Sequence, residues 1–377
     1  MRTIFFWTFI LFSSIATGQS YDISLEKASI ALEKKDFKDA YHWFTVAFKD
    51  SSSIGKYDLT AAAFAASESN NYSQAIEWLE KSISMGLGKS KQELDYFLND
   101  TSYYKLHNHK EWPNIVKSIK NQYLSEVQKA KLDSINWIQE LEKNKISESQ
   151  NNTINPGFAL YFHVFNNMKI PYLIYIPINY TKEKSSTLVF LHGGVSSMEE
   201  FNYKDPSVKG EPIFSVADSL NLLIIYPFGK KDFGWVNQKE AFENILNIVN
   251  EVKMKYHLEH SKIYLGGMSN GGSATFWFAS QKPNIFNGFF AISAFPKLNF
   301  SEINFDNISQ NKPFIMLNDL NDKLYEFDKV NEIYIREKAK ATDWKLNSIS
   351  SFGHGFIYNP ENGTQILNNL ISNLIEK

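Results

Sequence analysis

The segment Gly267–Gly271 reads Gly-Met-Ser-Asn-Gly, and it constrains this chain more than any other stretch. A short apolar run before it, Lys262–Gly266, predicts a buried strand, and Gly272–Ala279 predicts a helix. A strand that turns at once into a helix strains the residue between them, and flanking glycines remove side chains that would clash. The helix also directs N-terminal N–H groups at this residue. The pattern therefore predicts a nucleophilic serine at Ser269, with an ordinary Gly/Ser turn as the alternative.

Candidate partners for this serine follow it in the chain. A buried strand is predicted over Lys312–Asn318, and the polar loop after it contains Asp319 and Asp322. His354 lies between two glycines in a loop after one more predicted strand. A nucleophilic serine needs a histidine base and a carboxylate that orients the histidine. The order serine, acid, histidine is the one that accompanies a serine on a strand-to-helix turn, and either aspartate could supply the acid.

A second glycine-rich turn lies upstream of the serine. The segment Thr187–Gly194 predicts a strand that ends in His-Gly-Gly, a form typical of loops whose backbone N–H groups stabilise an oxyanion. We expect the oxyanion hole to combine the N–H of Asn270 with that of Gly194 or Val195. His192 is predicted to be a structural residue of the turn, and a catalytic role for it is the alternative.

Together these features resemble the α/β-hydrolase superfamily from about Phe158 to the C-terminus. The segment Tyr172–Pro177, Tyr-Leu-Ile-Tyr-Ile-Pro, is similar to a strand found near the start of bacterial carboxylesterases and "predicted peptidases". The resemblance implies an α/β fold with a mostly parallel central sheet flanked by helices. Met268 departs from the family pattern, because many members carry histidine there, and we expect this to alter packing more than chemistry.

The resemblance also implies roles for individual residues. It places the acid four residues beyond the end of its strand, which favours Asp322 over Asp319 and gives the triad Ser269, Asp322 and His354. The activity implied is hydrolysis of a carboxylic ester, on a small-molecule or acyl-carbohydrate substrate. A serine peptidase of the same fold is one alternative, and a protein-binding module with a non-catalytic hydrolase-like scaffold is another. Trp235 could line the substrate cleft or belong to the core.

No cofactor or metal is expected. The chain contains no cysteine, which excludes thiol catalysis and thiolate metal sites. His107 and His109 are one residue apart and share no helical face, so a solvated loop is the preferred interpretation. The formal net charge of −2 argues against nucleic acid as a partner.

The N-terminus predicts export. Met1 and Arg2 precede an apolar run, and the small residues Ala16–Gly18 follow it, as in a cleaved signal peptide. A membrane anchor is the alternative, but the run is too short to span a bilayer comfortably. We therefore expect a bacterial periplasmic or secreted protein, with no stable membrane span after cleavage.

An internal repeat dominates the next part of the chain. Asp36–Phe44 aligns with Asn71–Leu79 at an offset of 35 residues, close to the tetratricopeptide (TPR) period. The repeat predicts a TPR-like helical region, which either binds a protein partner or serves only in packing. The predicted organisation is a signal peptide (1–18), a TPR-like helical domain (19–112), a linker helix and loop (113–150) and an α/β-hydrolase domain (151–377).

Overall fold

The computed structural model describes residues 21–49, 54–99, 101–145, 154–181, 185–308 and 312–376. The predicted signal peptide and the predicted boundary between residues 150 and 151 lie outside these residues. The chain divides into two compact units between Leu132 and Asp133. Across the described ranges, no helix combines the length and the apolar character that crossing a membrane requires.

The first unit is helical. Its elements are α1 (21–33), α2 (Phe37–Ala47), α3 (Lys56–Glu68), α4 (Tyr72–Ser84), α5 (Lys91–Asn99), a 3-10 helix (Thr101–Leu106) and the first part of α6 (Trp112–Lys143). Their apolar faces form one core, in which alanines of α3 such as Ala62 and Ala66 are fully buried. Small side chains at these positions let neighbouring helices approach closely.

The 35-residue repeat is visible in the backbone. Lys35 and Asn70 are equivalent positions, and both adopt left-handed conformations, with φ of 59° and 64°. In each case the next N–H closes the end of the preceding helix, from Asp36 to the Ala31 carbonyl and from Asn71 to the Ala66 carbonyl. The pairs α1–α2 and α3–α4 therefore share one helix–turn–helix geometry. Assignment to the TPR class and the binding of a partner remain predictions.

The second unit is built on an eight-stranded sheet. Its strands are β1 (Gly157–Phe165), β2 (Met168–Ile176), β3 (Thr187–Leu191), β4 (Leu223–Pro227), β5 (Ile263–Met268), β6 (Gly288–Ile292), β7 (Phe314–Asp319) and β8 (Trp344–Ile349). The spatial order is β1-β2-β4-β3-β5-β6-β7-β8. Strand β2 runs antiparallel to both neighbours, and the strands from β4 to β8 pair in parallel. The α/β-hydrolase fold predicted from the sequence is confirmed.

Helices cover both faces of this sheet. They are α7 (Pro212–Leu220), α8 (Lys239–Tyr256), α9 (Asn270–Gln281), α10 (Phe327–Glu337) and α11 (Gly363–Ile375), with a 3-10 helix at Gly353–Tyr358. Alternate residues of a strand face opposite sides, so Leu188 and Phe190 enter one core and Val189 and Leu191 the other. Because parallel strands end at the same edge, the loops after β3, β5, β7 and β8 meet there.

Candidate active site

Ser269 occupies the turn between β5 and α9. Its backbone has φ 54° and ψ −116°, a conformation that side chains rarely adopt, and its N–H donates to the Ile292 carbonyl at 2.9 Å. A methyl group added to Gly267 or to Gly271 would collide with the carbonyl oxygen of Leu191. The two glycines therefore allow β3 to pass directly under the turn, which holds the serine in its strained position.

A row of hydrogen bonds joins the three residues of the predicted triad. The Ser269 Oγ lies 2.8 Å from Nε2 of His354, and Nδ1 of His354 lies 2.7 Å from Oδ2 of Asp322. The Asp322 side chain is fully buried, whereas about a fifth of the imidazole is exposed, with a relative accessibility of 22%. An ionised carboxylate can only accept, so Nδ1–H donates to Asp322 and Nε2 accepts from the serine hydroxyl. This is the tautomer that a general base requires.

The other oxygen of Asp322 is held by the backbone. Oδ1 accepts from the N–H of Leu324 at 2.8 Å and of Tyr325 at 2.9 Å. These two hydrogen bonds hold the carboxylate in one orientation. Asp322 thus presents one oxygen to the imidazole and has no freedom to turn away.

Asp319, the alternative candidate for the triad acid, has different hydrogen-bond partners. Its Oδ1 accepts from the Asn321 N–H at 2.7 Å and its Oδ2 from the Ser351 N–H at 2.9 Å. One carboxylate oxygen therefore stabilises the loop after β7, and the other joins that loop to the loop after β8. Asp319 positions the two loops that carry Asp322 and His354, and it does not touch the imidazole.

The predicted oxyanion-hole segments meet at the serine. A methyl group on Gly193 would lie 3.0 Å from the Ser269 Cβ, so the turn after β3 passes directly against the nucleophile. Gly194 has φ 72°, a left-handed conformation that suits glycine, and Val195 begins a short 3-10 helix. Asn270 is the first residue of α9, where backbone N–H groups have no partner within the helix.

His192 is a structural residue, as the sequence predicted. Its Nδ1 bonds to the Gly193 carbonyl at 2.7 Å, and its Nε2 accepts from the Gly229 N–H at 3.0 Å. Burial lowers the pKa of the imidazole to about 4, so it is neutral near pH 7. Trp235 packs against it and donates its indole N–H to the His192 carbonyl at 3.1 Å. Trp235 is buried in the core, and its ring also forms part of a cavity wall.

Tyr325 is a site residue that the sequence analysis missed. Its ring meets the His354 imidazole edge to face, with centroids 5.1 Å apart. The side chains of Ser269, Asn270 and Ser273 are polar neighbours that interact with its hydroxyl, and burial raises the pKa of the phenol. The hydroxyl is therefore neutral near pH 7 and able to donate beside the nucleophile. A tyrosine in a polar loop three residues after the acid is the signal that could have identified it.

Two small cavities are lined by residues next to the nucleophile. The first, of about 180 Å³, is lined on the α9 side by Trp235, Asn270, Ser273, Phe295, Leu298 and Tyr325 among others. The second, of about 190 Å³, is lined by residues that include His192, Gly193, Asn202, Glu211, Tyr226 and Tyr358. A larger groove of about 820 Å³ runs along residues 296–306 and contains no triad residue. Within the described segments, no three metal-ligating side chains cluster together.

Comparison with known proteins gives limited similarity. No family model matches the chain. An alignment over 122 residues shows 29% identity to a bifunctional acetylxylan esterase/xylanase of Neocallimastix patriciarum, and it covers 29% of this chain and 16% of that protein. This chain therefore spans only a small part of that relative's length.

Solved structures are similar at lower identity. A thermostable esterase has a TM-score of 0.45 at 17% identity, over 58% of this chain and 62% of its own. The protein Est1E from Butyrivibrio proteoclasticus has a TM-score of 0.42 at 15% identity, over 58% of this chain and 99% of Est1E. An acylaminoacyl peptidase of Pyrococcus horikoshii has a TM-score of 0.46 at 17% identity, over 60% of this chain and 42% of the peptidase. The fold assignment rests on the strand order and strand directions of the sheet itself.

Proposed function

We propose that this protein is a serine hydrolase that cleaves carboxylic esters, with Ser269 as nucleophile, His354 as general base and acid, and Asp322 as the orienting carboxylate. The observation that carries the proposal is the continuous row of hydrogen bonds from Asp322 through His354 to Ser269, at 2.7 and 2.8 Å. These distances match those required between nucleophile, base and orienting group. An intact triad also weighs against a non-catalytic scaffold.

In the first half of the reaction, Ser269 Oγ attacks the ester carbonyl carbon while Nε2 of His354 takes the hydroxyl proton. The carbonyl oxygen becomes an oxyanion, which the N–H of Asn270 and an N–H of Gly194 or Val195 stabilise. Loss of one such donor typically costs about 3 kcal/mol of transition-state stabilisation. The intermediate collapses, the C–O bond to the alcohol breaks, and His354 returns the proton to the leaving oxygen.

In the second half, water replaces the alcohol. His354 takes a proton from the water, whose oxygen attacks the acyl-enzyme carbonyl carbon. The second tetrahedral intermediate releases the carboxylic acid, and the proton on Nε2 returns to Ser269 Oγ. Throughout, the carboxylate of Asp322 stabilises the imidazolium without taking its proton.

The cavities beside Ser269 favour a compact ester. Volumes of about 180 and 190 Å³ leave room for small acyl and alcohol groups. The similarity of a 122-residue stretch to an acetylxylan esterase/xylanase favours an acylated carbohydrate as the natural substrate. Export to the periplasm or the medium would bring the enzyme to such substrates, and the helical first unit would supply a docking surface for a protein partner.

Turnover of p-nitrophenyl acetate tests the proposal. We expect Ser269→Ala to lower kcat/KM by several orders of magnitude, because the nucleophile is lost. The matched control is Ser273→Ala, which removes a hydroxyl one helical turn further along α9 and is expected to keep activity within about tenfold, the scale of one lost hydrogen bond. Equal activity of the wild type and Ser269→Ala, or a dead Ser273→Ala beside an active Ser269→Ala, would refute the assignment.

A further inference from the structure

Glu211 is a half-buried carboxylate in the second cavity, and the triad chemistry does not use it. It directly precedes α7, and one of its oxygens accepts from the Tyr358 hydroxyl at 3.0 Å. Among the described residues no lysine, arginine or histidine forms an ion pair with it. The nearest basic residue in sequence, Lys209, pairs instead with Glu140. A carboxylate with four acceptor positions therefore has one side-chain donor.

Two tyrosine side chains form one ionisable cluster with this carboxylate. Burial raises the pKa of Glu211, and the Tyr358 hydrogen bond opposes that rise. Burial also raises the pKa of both Tyr226 and Tyr358, and the charge of Glu211 adds to the shift in each case. Both phenols therefore stay protonated, and Tyr358 offers a hydroxyl that can donate and accept.

The cavity opens beside the nucleophile. Gly193 forms part of its wall, and the same glycine lies against Ser269, where an added methyl group would be 3.0 Å from the serine Cβ. Tyr358 lies on the short helix Gly353–Tyr358 that also carries His354. The cavity therefore lies between the glycine turn that touches the nucleophile and the short helix that carries the general base.

We propose that this cavity is the subsite for the alcohol part of the ester, and that it recognises a polyhydroxylated ring such as a sugar through Glu211 and Tyr358. This inference rests on the proposed ester hydrolysis. A sugar hydroxyl can donate to the free positions of the carboxylate and accept from the donors that line the cavity, which include the Asn202 amide and the Ser207 hydroxyl. An ammonium group could use only the carboxylate, because it cannot accept.

The rest of the lining suits the same ligand. The aromatic rings of Tyr226 and Phe228 form part of the wall and present apolar surface, which a sugar ring can cover with its C–H face. A volume of about 190 Å³ holds a single ring, so a longer carbohydrate would extend outward from the cavity. The ligand class is therefore one acylated sugar residue, free or at an accessible position of a chain.

The experiment compares two acetyl esters of similar size. One is a monoacetylated methyl β-D-xyloside, which keeps free hydroxyl groups on its ring. The other is cyclohexyl acetate, which has a ring of similar size but no hydroxyl group. We expect Glu211→Ala to lower kcat/KM by about tenfold or more on the sugar ester, as for a lost hydrogen bond to a charged group, and by less than about threefold on cyclohexyl acetate. Tyr358→Phe should give a smaller loss with the same selectivity.

The matched control is Glu361→Ala, which removes an exposed carboxylate three residues after Tyr358 and should leave both substrates unchanged. Equal losses on the two esters in Glu211→Ala would overturn the proposal. The proposal would also be overturned if Glu211→Ala lowered kcat/KM more on acetylcholine than on the sugar ester. That result would identify the cavity as a cation site.

A binding measurement separates this proposal from the proposed chemistry. Saturation-transfer NMR with methyl β-D-xyloside should show binding to the wild type and to Ser269→Ala, and the signal should be lost in Glu211→Ala and kept in Glu361→Ala. The wild type could hydrolyse neither ester and still bind the xyloside, with binding lost in Glu211→Ala alone. That result would refute the proposed ester hydrolysis and support the sugar subsite. If the wild type does not bind the xyloside, or Glu211→Ala binds it equally well, the subsite is refuted whatever the activity.

Discussion

Exchanging the acid of the triad for its amide gives a sharp prediction, because the two oxygens of Asp322 have different partners. Oδ1 accepts from two backbone N–H groups, of Leu324 and Tyr325, while Oδ2 accepts from Nδ1 of His354. In Asp322→Asn the amide oxygen will keep the Oδ1 position, since an NH₂ group there would face two donors. The NH₂ group then faces the imidazole, and Nδ1 must become an acceptor.

The consequence is the wrong histidine tautomer. With Nδ1 accepting, the ring proton resides on Nε2, which points at the Ser269 hydroxyl and can no longer take its proton. The same substitution in the serine protease triad lowers kcat by about 10⁴, equivalent to about 5 kcal/mol of transition-state stabilisation. We expect a loss of that size, with little change in stability because both backbone hydrogen bonds survive.

Asp319→Asn is the matched comparison. Both oxygens of Asp319 accept from backbone N–H groups, so an amide must place its NH₂ group against a donor. We expect a cost of about 1–3 kcal/mol in the free energy of unfolding and a loss of activity within about tenfold. Urea denaturation and p-nitrophenyl acetate turnover, measured on both variants, give the two quantities. An inactive Asp319→Asn beside an active Asp322→Asn would refute the assignment, as would small losses in both.

Three further predictions concern residues around the triad. Tyr325→Phe should lower kcat about tenfold while the free energy of unfolding changes little, since only a hydroxyl beside Ser269 is lost; unchanged kcat would deny it a role. The unfolded chain protonates His192 near its usual pKa of 6.5 and the folded chain near 4, so stability falls as pH drops through that window, by up to about 3 kcal/mol. His192→Asn should lose that part of the pH dependence in urea titrations at pH 7 and 4.5, and an unchanged dependence would contradict it. A protein that begins at residue 152 lacks Trp137, which is buried beneath the sheet, so it should melt well below one that begins at residue 133; equal melting temperatures would contradict this.

The sequence predicted those parts of the site that local backbone geometry dictates. The strained turn at Ser269 requires glycines at fixed positions, and the oxyanion loop requires them after a strand, so both leave a pattern in the sequence. The mostly parallel sheet was implied by the resemblance to the α/β-hydrolase superfamily. The 35-residue repeat likewise reappears as two helix pairs with equivalent left-handed residues at Lys35 and Asn70.

Features that depend on contacts between distant loops leave weaker signals in the sequence. The residues alone left Asp319 and Asp322 open as the acid, and the resemblance favoured Asp322. In the structure, the positions of the Ser351 N–H and of His354 distinguish the roles of the two aspartates. Glu211 belongs to no motif, because its partner Tyr358 comes from another loop. The signal for Tyr325 is its position three residues after the acid. Trp235 illustrates the same limit, since the sequence left core and cleft open and the ring belongs to the core while bordering a cavity.

The end of α6 belongs to the core of the second unit. The sequence placed it in the linker helix and loop predicted over residues 113–150. The compact second unit begins at Asp133, and it includes Trp137 and Leu141 of α6 in its core. The indole of Trp137 donates to the Tyr203 carbonyl at 3.0 Å and meets Phe158 edge to face. Helical periodicity alone does not reveal which core the end of a helix will join.

Covalent labelling tests the central claim most directly, because it reports the activated serine without assuming a substrate. A fluorophosphonate reacts when a serine oxygen attacks phosphorus and fluoride leaves, and it requires the base that activates the serine. Intact-mass and peptide mass spectrometry of the reacted protein should show one adduct, located on Ser269, that is absent in His354→Ala. A protein that stays unlabelled, or that carries the adduct on another residue, would contradict the proposed triad.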